Sequence, residues 1–230
     1  TPAVNRGYDS RRVEEARNFC NKLWNMARYT LDKVGDVSDL PKPEPQTNAE
    51  HWVLSKLQHT TEVISGHLDA YRFSEAYDTL YHFVWDDVAD WFIEASKNEP
   101  GGGVLAYVLE NILKLAHPFA PFVTETIWQV IPWTGTSLLA VQPWPKPMKA
   151  HAGPAADFEE MKAIVVETRA LIRFFDHPAA TDIYTDVPFL TVNAQLIARL
   201  TGLAGVQEVS DGSGLHLTGT SHRCWLDVDA

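Results

Sequence analysis

The chain has 230 residues, a length that suits two small domains or one large one. Hydrophobic residues make up 45% and charged residues 21%, which excludes a disordered chain, and no run of about 18 apolar residues is present to cross a membrane. Two cysteines, Cys20 and Cys224, exclude a disulfide framework and fit a reducing compartment, and a net charge of -11 means that any nucleic-acid contact must come from a local basic face.

The N-terminal TPAVNRGYDSRRVEE lacks the apolar core of a signal peptide. The spacing that follows predicts a helix over 10–34, with Asp9 or Ser10 as N-cap and Gly35 as its stop. Val13, Ala16, Cys20, Leu23, Trp24, Ala27, Leu31 and Val34 form one stripe at about 100° per residue and are expected to face the core. A polar, Pro-rich linker, DVSDLPKPEPQTN, comes next. A second helix is predicted over 49–70, with Val53, Leu57, Thr61, Ile64, Leu68 and Tyr71 on its inner face. A third begins after Arg72, turns Ala76, Leu80, Val84, Trp91 and Ala95 inward, and stops before the breaker NEPGGG.

A fourth helix, over 104–116, is almost wholly apolar and is expected to be the most buried. HPFAPF then bends the chain, because Pro118 and Pro121 cannot continue a straight helix, and a further helix is predicted over 121–130. Short links between such helices imply an antiparallel bundle. The segment Trp144 to Pro154 reads as an interdomain linker, dividing residues 1–147 from a small C-terminal domain over 148–230. In that domain a helix is predicted over 157–175, with Phe158, Met161, Val165, Thr168, Ile172 and Phe175 inward. Strand-like segments lie at 182–187, 206–209, 215–217 and 224–228, with a helix at 193–200 among them. The fold class is therefore mainly α: an antiparallel helix bundle followed by a small α+β domain.

The first helix has a second side that its apolar stripe does not use. Arg11, Asn18, Lys22, Asn25, Tyr29 and Lys33 lie there, with Arg17, Asn21 and Arg28 on one flank. Tyr29 is nearly half a turn from Cys20, so the core does not account for it. An aromatic ring among cations and amides is what unpaired bases require: the ring stacks, the cations hold phosphates, and the amides read base edges. The plainer reading is a solvated helix face.

Other constellations do not make an active site. Asp86, Asp87, Asp90 and Glu94 cluster on the third helix, but the Glu-x-x-His pairs of a di-iron bundle are missing, and structural ion pairing is the expectation. His51, His59 and His67 recur every eight residues and do not converge on one ligand. The triple glycine at 101–103 has no following Lys-Ser/Thr to make a phosphate cradle. Cys20 is expected to be packed rather than reactive. No metal site and no catalytic residue is assigned.

Five strings resemble the class I aminoacyl-tRNA synthetases, and within them the valyl enzymes. RNFCNKLWNMARY (17–29) is similar to the first helix of their anticodon-binding domain, WVLSKL (52–57) to the start of the second, and YRFSEAYDTLYHFVWDDVADWFIEASK (71–97) to the third. LKLAHPFAPFVTETIWQ (113–129) resembles the His-Pro-Phe segment, and SLLAVQPWP (137–145) the closing strand of the bundle. Order and spacing agree across 9–145, while 157–229 is more loosely similar to the small α/β region that follows in the valyl enzyme.

The resemblance implies that the first helix contacts the anticodon stem-loop of tRNA(Val), with Arg11, Lys22, Arg28 and Tyr29 in that role and Asn18 and Asn25 supporting from face geometry alone. Tyr29 stands where the family commonly has Phe, and it can still stack. It implies a parent enzyme that joins valine to tRNA using ATP and Mg2+, in the cytoplasm, with an editing activity. The Rossmann catalytic domain, the editing domain and the coiled-coil arm of that parent are not among these residues, so the chain is expected to be a C-terminal fragment. Its partners would be tRNA and the catalytic domain of the same parent, with no membrane and no DNA. It would need no cofactor and perform no chemistry itself. Two alternatives stay open: the anticodon-binding domain of an isoleucyl or leucyl enzyme, and a helical module that binds proteins. A cofactor-carrying bundle would need inward-facing ligands that the sequence does not supply.

Overall fold

The computed structural model describes residues 9–37, 39, 43–97, 99, 102–146, 148–149, 151–175, 180–209, 212, 214–220 and 222–228. They group into two compact units, Thr1–Gln46 with Val53–Ala150 and Thr47–Trp52 with His151–Ala230. The expected linker and the NEPGGG breaker lie partly outside the described residues.

The first unit opens with α1, Ser10–Val34, whose N-cap Asp9 accepts a hydrogen bond from the Arg11 amide at 3.0 Å. Gly35 ends it: at φ 78° its amide donates to the Leu31 carbonyl at 2.9 Å, a backbone conformation that side chains resist. The buried face of α1 is Phe19, Leu23, Met26, Ala27 and Thr30. This corrects the expected stripe, since Val13, Ala16 and Trp24 are exposed while Cys20, Leu31 and Val34 are half-buried. The physical reason is competition. Apolar residues cover a broad arc of α1, and the part that packs is decided by partners: Phe19 meets the rings of Tyr77 and Tyr81 at 5.6 and 5.7 Å.

Helix α2, Asn48–Asp69, starts in a reciprocal cap, in which the Thr47 hydroxyl accepts from the Glu50 amide and the Glu50 carboxylate accepts from the Thr47 amide. At its other end Tyr71 takes φ 56°, with its amide on the Leu68 carbonyl and the Arg72 amide on that of His67. That is the Schellman arrangement with a tyrosine where glycine is usual. Tyr71, expected inward, is 82% exposed as a result. Helix α3, Phe73–His82, runs through a π-helix, Phe83–Phe92, into α4, Ile93–Ser96. The Ile93 amide reaches back to Val88. This wider turn brings Val88 and Phe92 into the core, where regular periodicity would have placed Trp91, which is half-buried.

Helix α5, Gly103–Ala116, is buried at ten of its positions, as its composition requires. Pro121 then opens α6, Pro121–Val130, at a position where its missing amide costs nothing. α1 packs against α5, α6 and the π-helix. The segment resembling a closing strand is instead a 3-10 turn, Leu139–Val141. The Glu125 carboxylate takes the Leu139 and Ala140 amides, and the Trp128 indole donates to the Ser137 carbonyl, so the groups a strand partner would use are already engaged.

In the second unit, α7 (Ala152–Phe175) begins earlier than expected, absorbing the end of the anticipated linker. Ala155, Phe158, Met161, Ile164, Val165 and Thr168 are its buried face, Ile172 is half-buried, and the side chain of Phe175 lies outside the description. Phe158 packs on Trp52, whose indole donates to Glu159 and carries Lys162 over its face at 4.2 Å. The strands are β1 (Ala180–Thr185), β2 (Gly205–Glu208), β3 (Leu215–His216) and β4 (Cys224–Val228), with α8 (Pro188–Val192) and α9 (Ala194–Thr201) between the first two. The sheet order is β2-β1-β4-β3. The helical crossover makes β1 and β2 parallel, and the other pairs are antiparallel. Glycine is required at 214, where φ is 118° and a Cβ would lie 2.3 Å from the Leu226 carbonyl oxygen.

Candidate nucleic-acid interface

Helix α1 carries Arg11, Arg12, Arg17, Lys22, Arg28 and Lys33 against only Glu14, Glu15 and Asp32. It is a basic element in a chain whose net charge is -11. With Phe19, Leu23, Met26 and Thr30 committed to the core, the opposite side of α1 faces solvent over several turns and presents Asn18, Asn21, Trp24, Asn25 and Arg28.

The six predicted contact residues separate into two sets. Arg11, Asn18, Asn25 and Arg28 are exposed. Arg11 lies 3.7 Å from the Asp9 carboxylate, at the end of the helix. Lys22 and Tyr29 sit on the flank that meets the π-helix and α4. The Lys22 ammonium is 4.3 Å above the Trp85 ring and 3.7 Å from Asp90, with its side chain 25% exposed. Trp85 is stacked in turn on Tyr81, with centroids 5.5 Å apart and planes at 12°. Lys22 is therefore held at the rim by an aromatic face and a carboxylate.

Tyr29 is half-buried, and its hydroxyl lies 3.0 Å from the Ser96 hydroxyl oxygen. Ser96 donates its own proton to the Ile93 carbonyl at 2.9 Å, so Tyr29 is the donor in that pair. This corrects the expectation that the bundle does not account for Tyr29: its phenol ties α1 to α4, leaving part of the ring at the surface. Lys33 likewise donates to the Glu99 carbonyl at 2.7 Å.

Within the acidic cluster on the third helix, Asp86, Asp90 and Glu94 are engaged in the ion pairs expected of them. Asp86 pairs with His82 at 2.7 Å, Asp90 with Lys22, and Glu94 with Lys97 at 2.6 Å. The hydrogen bond that the His82 imidazole donates to the Asp86 carboxylate is the main cause that holds it above its ordinary pKa. Among the described residues no group of His, Cys, Asp and Glu is placed to hold a metal ion, and no helix is long and apolar enough to cross a membrane.

Residues 50–182 match the family model of the anticodon-binding domain of tRNA ligase. The chain belongs to that family. It is 31% identical over 262 aligned positions to the valine--tRNA ligase of Geobacillus kaustophilus, covering 90% of this chain and 30% of that protein. It is 38% identical over 178 positions to the valine--tRNA ligase of Stenotrophomonas maltophilia, covering 70% and 19%, and 38% over 158 positions to that of Staphylococcus epidermidis, covering 63% and 18%. The chain thus spans less than a third of the length of these curated relatives. The family model covers the bundle from α2 onward, and the α1 face of this anticodon-binding domain rests on its own geometry.

Sequence reasoning missed one residue of that face. Trp24 was assigned to the core by periodicity, yet it is 43% exposed and lines an open cleft of about 140 Å³ with Arg28, Ala27 and Leu31 of α1 and Ile127 and Val130 of α6. The available signal was the pair Phe19 and Met26, two bulky apolar side chains that compete with Trp24 for the core.

Proposed function

We propose that this domain binds the anticodon stem-loop of tRNA(Val) as part of a valine--tRNA ligase, with α1 as the contacting element. The observation that carries the proposal is the basic, amide-rich outer side of α1 on a bundle of the anticodon-binding family. Arg11, Arg28 and the rim-held Lys22 supply cations for phosphates, Asn18 and Asn25 supply donors and acceptors for base edges, and the exposed edge of Tyr29 offers apolar contact. The parent enzyme ligates valine to tRNA in the cytoplasm; ATP and Mg2+ serve its catalytic part, and no residue of this chain is assigned to them. This chain contributes recognition and no chemistry.

The test is fluorescence anisotropy of the 230-residue chain with a valine-anticodon stem-loop and with a scrambled-anticodon control at low salt. Preference for the valine loop supports the reading. Equal binding to both, or preference for isoleucine or leucine loops, overturns the valine assignment. ATP–pyrophosphate exchange by the chain alone would contradict the absence of chemistry.

A further inference from the structure

We infer that the cleft between α1 and α6 is a subsite for one unpaired nucleobase, stacked on Trp24 with its phosphate on Arg28. The inference rests on the proposed RNA binding and adds a base position that the six predicted contact residues do not contain.

Three observations carry it. First, Trp24 is the large aromatic of α1 whose ring is open. Tyr29 has its hydroxyl engaged and its ring half-covered, and Trp85 of the π-helix is covered by Tyr81 and by the Lys22 ammonium. Trp24 has no ring, cation or hydrogen-bond partner among the described residues, although 43% of it is exposed. Second, Arg28 follows Trp24 by one helical turn, so the two side chains are neighbours on the surface of α1, and Arg28 has no ion-pair partner among the described residues. Third, the cleft floor is apolar and built from both helices. Ile127 is fully buried beneath it and Val130 stands at its edge, half exposed, so a flat ring on Trp24 would cover apolar surface that is otherwise wet.

An aromatic face, an apolar floor and an exposed guanidinium are the elements with which proteins hold single-stranded bases. Charge sets the side from which phosphate is excluded. Beyond Leu31 the adjoining hollow is lined by Asp32 and Asp36, which repel phosphate. The backbone therefore leaves the cleft toward the N-terminal half of α1, where exposed Arg17 lies on the same side, 3.2 Å from Glu14.

The experiment uses the full chain and a valine-anticodon stem-loop with 5-bromouridine at single loop positions. Irradiation is followed by mapping of cross-linked tryptic peptides, in which Leu23 to Arg28 is a separate peptide from Tyr29 to Lys33. The expected result is a cross-link to the Leu23–Arg28 peptide from one loop position. In parallel, Trp24→Leu, which keeps an apolar side chain on the cleft, weakens binding at least about fivefold, while Trp24→Phe stays within about threefold. Stem-loop binding that survives Trp24→Leu, with cross-links confined to the Tyr29–Lys33 peptide, overturns the subsite and leaves the proposed function standing. Absence of stem-loop binding by the unaltered chain overturns both. A concentration-dependent dimer abolished by Trp24→Leu, with unchanged RNA affinity, assigns the cleft to a second copy and overturns it as well.

Discussion

Tyr29→Phe separates what the α1 face does for the bundle from the RNA contact proposed for it. The substitution removes one oxygen. The Ser96 hydroxyl keeps its own bond to Ile93 but loses the donor that reached it at 3.0 Å. A net hydrogen bond contributes about 0.5–1.5 kcal/mol, and this one is half-buried, so water partly replaces the lost donor and the expected cost is about 0.5–1 kcal/mol. The ring, with its stacking surface, is untouched. Urea unfolding should show a lower midpoint with an unchanged slope, and affinity for the valine stem-loop should stay within about twofold. Tyr29→Ala should lose about 2 kcal/mol or more of stability, because a large half-buried ring leaves a gap between α1 and α4. If Tyr29→Phe lowers RNA affinity tenfold and leaves the urea midpoint where it was, the hydroxyl reads RNA and its bond to Ser96 is incidental.

Further outcomes follow from the same structure. Tyr71→Gly relieves a left-handed backbone that costs an L-residue roughly 1–2 kcal/mol, and the exposed ring buries little in return, so thermal unfolding should shift upward by a few degrees; a downward shift would mean that its edge contact with Phe73 matters more. Trp52→Ala removes a fully buried indole between Phe158 and Lys162 and should cost about 3–5 kcal/mol, read by urea unfolding. Burial holds the Glu110 carboxyl above its ordinary pKa, against the opposing pull of Lys114. The folded state then keeps a proton that the unfolded chain has released, so stability falls as pH rises from the ordinary value through the raised one. Glu110→Gln should remove that decline, measured as urea midpoints between about pH 4 and pH 8.

Helix type and extent were legible where local signals agree. Asp9 and Gly35 bound α1 at both ends, Pro121 opens α6, and the apolar run of α5 could only be an interior helix. The readings that needed partners were less legible. The α1 stripe was displaced because Phe19 found Tyr77 and Tyr81, which periodicity does not see. Trp91 and Phe92 exchanged roles because a π-helix widens the turn, and that is a tertiary accommodation without a composition signal. The expected closing strand gave way to a turn because Glu125, a helix residue 14 positions before Leu139, captures its amides. At the candidate site, residue types were readable but engagement was not. Lys22 and Tyr29 turned out to be tethered to Trp85, Asp90 and Ser96, while Trp24, read as core, turned out to be open.

In the proposed function, RNA affinity resides on the α1 face and does not follow from net charge. The most direct measurement compares two double variants that remove equal charge, Arg11→Ala with Arg28→Ala and Lys146→Ala with Lys149→Ala, for binding to the valine stem-loop across a salt series. All four side chains are exposed, so neither pair should unfold the bundle. The α1 pair should weaken binding and flatten the log–log salt slope by about 1.4, the value for two lost phosphate contacts on a single strand, while the lysine pair should change it little. Equal losses from both pairs would mean diffuse attraction with no site on α1, and would contradict the account.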